Sequence, residues 1–268
     1  MKLGLLVFSH IMSSWLAPIP DCDEVFNYWE PLHYLVFGNG QETWEYSPEY
    51  GLRSYFYLLL HAFPTYLLKL LGVPSVYNFK LTRLSFGLFS TFAQHKLLDA
   101  IEASEFTYFL FSINSGLFMA SQTFLPSTFA MNFMCLALCS FLNYYKKQSK
   151  KDLFLALLHC GVAMVVGWPF VAIIPGIFVL PYLYKHPSFV LNKDLWTYGI
   201  LALVFTIVPS VVADSFFYGK VTFAVLNLIK YNTSLGSNLV GSSVLFGTDP
   251  WHMYLLNLFL NFNFVSST

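Results

Sequence analysis

The sequence predicts an all-α fold: a polytopic bundle of transmembrane helices whose polar loop carries short interfacial helices. Three observations lead there. Of the 268 residues, 56% are hydrophobic and only 10% are charged, whereas a soluble domain shows water about 25% charged residues. Residues 3–20, 106–145, 153–184 and 195–213 contain no Asp, Glu, Lys or Arg, and about 20 apolar residues in a helix cross the ~30 Å hydrocarbon layer. These runs also lack the polar faces at helical spacing that a soluble bundle needs, and backbone in lipid satisfies itself internally over such lengths as helix.

In chain order, spans are predicted at 3–19, 54–71, 106–122, 128–145, 195–213 and 251–264. The first has no small-residue cleavage site before Asp21, so it reads as a span rather than a leader. Segment 153–184 is too long for one upright helix, and Gly167-Trp168-Pro169 predicts a break into a hairpin. Segment 81–98 is weaker, with Lys80, Arg83, Gln94, His95 and Lys96 around a short apolar centre; it either crosses or lies at the interface. Basic residues set the orientation. Lys146, Lys147, Lys150 and Lys151, together with Lys185 and Lys193, mark the cytoplasmic loops and send Asp214 to the far side. If 54–71 and 81–98 both crossed, loop 21–53 would face away from Asp214; one of the two must stay on its own side for these polar stretches to share a face.

No internal repeat or low-complexity linker divides the chain, so 1–268 reads as a single integral-membrane domain. Fourteen basic residues balance fourteen acidic ones, which gives no field for nucleic acid. Cys135, Cys139 and Cys160 lie in apolar runs and Cys22 in the loop, so there is no disulfide framework. No His/Cys/Asp cluster has metal-ligand spacing, and His159 reads as a core residue.

Loop 20–53 holds seven of the fourteen acids. Asp21 followed by Glu24 is an acidic variant of a capping box and predicts a short helix. Val25, Tyr28/Trp29, Leu32 and Leu35/Val36 would face lipid, with Asp23, Asn27 and Glu30 on the water side. Pro31 kinks it and Gly38-Asn39-Gly40 ends it. A second helix is predicted from Ser47-Pro48-Glu49, running into 54–71, carrying Arg53 about one and a half turns in and stopping near Gly72-Val73-Pro74. Crowded carboxylates raise one another's pKa, which suits a base, and Arg53, the loop's one cation, offers a fork for a lipid phosphate.

Residues 21–35 (Asp-Cys-Asp-Glu-Val-Phe-Asn-Tyr-Trp-Glu-Pro-Leu-His-Tyr-Leu) and 43–55 (Thr-Trp-Glu-Tyr-Ser-Pro-Glu-Tyr-Gly-Leu-Arg-Ser-Tyr) resemble the first luminal loop of the family 22 glycosyltransferases. Within that family they are most similar to the α-1,2-mannosyltransferase branch that extends the dolichol-linked N-glycan precursor. Phe124-Leu125-Pro126-Ser127, Gly167-Trp168-Pro169-Phe170, Asp214 to Lys220 and Gly247 to Tyr254 match in the same order. The resemblance implies a GT-C architecture in the endoplasmic reticulum membrane, with loop 20–53 luminal. It also implies dolichyl-phosphate mannose as donor, a lipid-linked oligosaccharide as acceptor and no cofactor. The family's His-Pro-Asp-Glu motif stands here as Asp21-Cys22-Asp23-Glu24. By this match Asp23 takes the place of the catalytic base and Glu24 that of its neighbour. Arg53, Lys220, Trp44, Glu45 and Asp214 are candidates for binding the donor phosphate or substrate, with Lys230 a further source of positive potential.

The chain is expected to correspond to the N-terminal half of the family fold, since it stops at Phe262–Thr268 inside an apolar stretch. Two relatives in reaction, a glycosylphosphatidylinositol-precursor and an α-1,6-mannosyltransferase, are disfavoured by Asn27-Tyr28-Trp29-Glu30-Pro31. A truncated, inactive membrane protein is the remaining alternative. A transporter would place polar residues at mid-membrane in repeated halves, whereas here the acids cluster in a loop. Asn232-Thr233-Ser234 is a glycosylation sequon.

Overall fold

The computed structural model describes residues 2–233 and 249–261. Among them every regular element is helical. The chain forms α1 (Lys2–Leu16), a wide π-helical turn (Glu24–Trp29) continuing into α2 (Glu30–Phe37), α3 (Tyr55–Leu70), α4 (Ser75–Ala100), α5 (Glu105–Ile113), α6 (Ser115–Ala120), α7 (Pro126–Lys147), α8 (Lys150–Val162), α9 (Ile173–Lys185), α10 (Lys193–Tyr218), α11 (Ala224–Thr233) and α12 (Trp251–Asn261).

The long helices run between two ends, which their contacts identify. At one end Lys2 Nζ donates to the Ala103 carbonyl at 3.0 Å, Lys146 Nζ to the Ala100 carbonyl at 3.0 Å, and Lys150 pairs with Asp194 at 3.1 Å. At the other, Arg83 of α4 donates to the carbonyls of Ala17 and Pro18 just beyond α1, and Tyr218 of α10 reaches Arg53. α1, α5–α6, α8 and α10 therefore run from the lysine end to the loop end, and α4, α7 and α9 return. α7 and α10 are each long and apolar enough to cross a bilayer. The outer face of α10 carries Trp196, Ile200, Phe205, Val212 and Phe216, all exposed.

Close approach comes from small residues. α1 and α4 meet where Gly87 lies under Ser14 and His10, with His10 Nδ1 2.8 Å from Thr91 Oγ1 and Ser14 donating to the His10 carbonyl at 2.7 Å. Small side chains let helix backbones touch, and polar ones then find partners across the seam. The expected hairpin in 153–184 is present: α8 loosens into a wide turn over 163–167, Trp168 is extended, and a 3₁₀ turn from Pro169 starts the return. The helices over 3–19, 81–98, 128–145 and 195–213 also form.

Two predicted spans do not form as such. Segment 106–122 breaks at Asn114, whose extended backbone stops α5 and whose side chain accepts from Leu117 N at 2.8 Å to start α6. Segment 54–71 is helical but does not travel to the lysine end. α3 starts beside Asp214, and Lys69 in its last turn donates to the Val36 carbonyl of α2 at 2.7 Å. α4 then begins against Trp29, whose ring centre is 5.1 Å from that of Phe79. Both ends of α3 thus lie among the loop residues, which leaves loop 21–53 and Asp214 on one face.

The loop helices also differ in detail from expectation. α3 begins at Tyr55, capped by Ser54, because residues 44–50 form only a 3₁₀ turn and a bend; Arg53 precedes the helix instead of sitting inside it. The Asp21–Glu24 capping box is not made, since the Glu24 side chain points into the bundle and Asp21 Oδ1 accepts from Asp23 N at 2.9 Å. Tyr28, Trp29, Leu32 and Val36 are buried with Tyr57, Leu58, Phe86 and Phe124 rather than turned to lipid. Gly38 ends α2 in the left-handed conformation at φ 80°, and Gly72 follows α3 at φ 74°, where a β-carbon is costly. Gly247, Thr248, Ser234 and residues 262–268 lie outside the described residues.

At the turn after α8, a β-carbon on Gly167 would stand 2.8 Å from the Ala130 Cβ and 3.0 Å from the Ala130 backbone. Gly167→Ala is expected to force α7 and the hairpin apart and to destabilise the fold by about 1–3 kcal/mol, read as a lowered midpoint of thermal unfolding.

Candidate active site

At the loop end the acid pair is split. Asp23 and Glu24 are neighbours in sequence, yet their carboxylates are held on opposite sides of the chain by different arginines.

Asp23 points outward. Its Oδ2 accepts from Arg53 Nη2 at 2.9 Å and its Oδ1 from Asn27 Nδ2 at 2.9 Å, and its side chain keeps 38% exposure. A carboxylate has about four lone-pair sites on two oxygens, so acceptor capacity remains toward solvent. Arg53 is the centre of this group. Its guanidinium also donates to Glu45 and to the Tyr28 hydroxyl, and its side chain is only 10% exposed. Burial pushes the Tyr28 phenol up to about 12, against the opposing pull of Arg53, so at neutral pH it stays protonated and accepts from Arg53 as a neutral hydroxyl.

The Arg53 main chain is fixed from α10. Tyr218 Oη donates to the Arg53 carbonyl at 2.6 Å, and Asp214 Oδ1 accepts from Ser54 Oγ at 2.9 Å and from Phe56 N at 3.3 Å. Asp214 is wholly buried, and it neutralises the positive start of α3. From α11, Asn227 Nδ2 donates to the Tyr50 and Gly51 carbonyls. Around Asn27 the loop closes on itself: Thr43 donates to its side chain at 2.6 Å and Tyr46 to its carbonyl at 2.7 Å.

Glu24 points inward and is fully buried. Its Oε1 accepts from Phe124 N at 2.8 Å and lies 3.3 Å from Arg83 Nε, while Oε2 has no hydrogen-bond partner among the described residues. Burial raises its pKa above the ordinary value, and the Phe124 amide and Arg83 only partly oppose this.

Of the residues singled out by sequence, Asp23, Glu45 and Arg53 come together directly. Glu24 stands apart, on the bundle side. Among the described residues Asp214 touches none of the exposed acids; it is a buried cap on α3. Arg53 donates to Asp23, Glu45 and Tyr28, so in this arrangement it holds carboxylates. Trp44 is half exposed, with its ring 5.0 Å from Tyr50 and 6.0 Å from Tyr231. Lys220 and Lys230 are exposed near this end and make no ion pair among the described residues.

Sequence reading missed Tyr28, Tyr46, Ser54 and above all Arg83. An arginine inside a weakly apolar helix was the available signal, because a charge at such depth is kept only with partners. It also missed that Asp21, Cys22 and Asp23 each bring a potential ligand atom within 4.8 Å of the others. Arg53 sets a positive charge against the group, which disfavours a cation there.

Residues 3–267 match the Alg9-like mannosyltransferase family. The chain belongs to that family. It is 38% identical over 98% of its length to alpha-1,2-mannosyltransferase alg9 of Schizosaccharomyces pombe, of which the match covers 46%. It is 36% identical over 96% of its length to the human alpha-1,2-mannosyltransferase ALG9, covering 41% of that protein. The zebrafish GPI alpha-1,2-mannosyltransferase 3 is 28% identical over 87% of the chain. This member of the Alg9-like family thus spans less than half the length of the curated relatives it matches. No solved structure matches it.

The Glu24 geometry gives a pH signature. Because its folded pKa is raised, the unfolded chain releases this proton first as pH climbs above about 4.5, and stability then falls with rising pH until the folded carboxyl also ionises. Thermal unfolding measured from pH 4 upward is expected to show that decline in the parent and a smaller one in Glu24→Gln.

Proposed function

We propose that the chain carries the acid-loop half of an inverting α-1,2-mannosyltransferase that takes mannose from dolichyl-phosphate mannose to a dolichol-linked oligosaccharide in N-glycan precursor assembly. Three features support the reading. The family match runs almost the full chain, the fission-yeast alg9 and human ALG9 enzymes are 38% and 36% identical against 28% for the zebrafish GPI enzyme, and one accessible carboxylate is held at the end of a helix bundle. The last carries most weight: Asp23 is clamped by a buried arginine yet open to solvent.

In this reading the chain is one polytopic GT-C-type domain in the endoplasmic reticulum membrane. α1, α4, α5–α6, α7, α8, α9 and α10 cross; α2 and α3 lie in the luminal interface. The lysine end is cytoplasmic, and the acids and Asp214 are luminal, which agrees with the distribution of basic residues.

The donor sugar is β-linked and the product α-linked, so a single displacement is enough. Asp23 accepts the proton of the acceptor hydroxyl as its oxygen bonds to the mannose C1. The C1–O bond to phosphate breaks on the opposite side, and dolichyl phosphate leaves with the electron pair. A phosphate leaves as a stable anion, so no general acid is needed, unlike the two-carboxylate glycosidases. Positive potential for that anion comes from Lys220 and Lys230, whose charges are not spent on carboxylates. Arg53 fixes Asp23, and Trp44 offers a flat exposed ring for a sugar.

Asp23→Asn is the direct test, in microsomes expressing the chain as it stands and also joined to the C-terminal portion of the Schizosaccharomyces relative. A general base contributes about 10²–10⁴-fold. The substitution is expected to remove at least about 10²-fold of mannose transfer with protein level unchanged; full activity in Asp23→Asn rejects the assignment.

A further inference from the structure

Arg83 lies one-third of the way along α4 and is 5% exposed. Its donors reach three separate segments. Nη1 donates to the Ala17 carbonyl at 3.1 Å and Nη2 to the Pro18 carbonyl at 3.0 Å, where α1 ends. Nε donates to Gln122 Oε1 at 2.5 Å, in the turn before α7, and lies 3.3 Å from Glu24 Oε1. The same Glu24 oxygen takes the Phe124 amide. One buried guanidinium therefore ties the end of α1, the acid pair and the 122–124 turn to α4.

Stability alone does not account for this arrangement. Replacing a buried ion pair by apolar groups is often neutral or stabilising, and here one Glu24 oxygen is left buried without a partner among the described residues. What the knot does supply is geometry. Glu24 is pulled inward toward Arg83 and Asp23 outward toward Arg53, so the peptide joining them is fixed from both sides. The residues from Glu24 onward form a π-helical turn, a rare element frequently found at functional sites.

We propose that Arg83, acting through Glu24, is a positioning residue that sets the place of Asp23 from within the helix bundle. This rests on Asp23 being the base. It reassigns Glu24 from a partner in the chemistry to an anchor, and it makes α4 responsible for the precision of a site it does not line. Misplacing a reacting group by 1 Å costs on the order of 10²-fold in rate.

Cys22, exposed and adjacent to Asp23, supplies a readout independent of turnover. With Cys135, Cys139 and Cys160 replaced by alanine, a nitroxide on Cys22 reports the mobility of the acid-pair backbone; the complementary chain, labelled only at Cys160, reports the bundle. Arg83→Gln is expected to sharpen the Cys22 spectrum and leave the Cys160 spectrum as in the parent. It should also lower kcat by about 10²-fold with little change in the acceptor KM, and Arg83→Lys should fall between. If Arg83→Gln alters the Cys160 spectrum as well, Glu24→Gln decides by the same Cys22 readout. A Cys22 spectrum identical to the parent's in the deciding variant overturns the proposal, whatever happens to activity. Full transfer by Asp23→Asn beside a sharpened Cys22 spectrum in Arg83→Gln would instead refute the base assignment and leave the anchor standing.

Discussion

A guanidinium taken out of water has to be ringed by acceptors, and at Arg53 that requirement organises the whole loop end. A partner removed from a buried pair leaves an uncompensated charge, a loss of about 3–5 kcal/mol when fully buried and less where, as at Asp23, solvent reaches one member. Arg53 draws Asp23, Glu45 and Tyr28 into one cluster. Its carbonyl is taken by Tyr218, and the next residue, Ser54, by Asp214. The loop after α1 and the far end of α10 are thereby joined, although more than 150 residues separate them in sequence. Remove the cation, and the acids have reason only to repel.

That junction also settles how the bundle is laid out. α3 is apolar enough to look like a span, but its first turn is held by Asp214 and its last by α2. It has no route to the lysine end. With α3 lying across the loop end, each remaining long element reverses direction in turn, and the loop acids, Asp214 and α11 gather on one face while Lys2, Lys146 and Lys150 mark the other.

Much of this was legible in the sequence. Helical class followed from the length of the uncharged runs, the hairpin from Gly167-Trp168-Pro169, and the helix stops from Gly38 and Gly72. Asp23, Glu45 and Arg53 were singled out from composition and motif together, and the structure brings their side chains into contact. What the sequence did not disclose is which arginine serves which acid. Periodicity places residues on a face of one helix, and it is silent on long-range pairs such as Glu24 with Phe124 and Arg83, or Ser54 with Asp214. Asn114 shows a related limit: in a chain read for apolar length, one polar residue whose side chain caps the next helix breaks a span that hydropathy leaves intact. Asp214 was visible as a lone acid at a helix end, and its burial as a cap follows only from the position of α3.

The central claim is that Arg53 works through Asp23 and not on the leaving phosphate. A double-mutant cycle on mannose transfer, with Arg53→Gln, Asp23→Asn and both together, tests it most directly, because residues that act as a unit are non-additive. If Arg53 serves only to hold the base, the double variant is no slower than Asp23→Asn alone. Losses that multiply would show that Arg53 makes its own contribution to the transition state and would contradict the account.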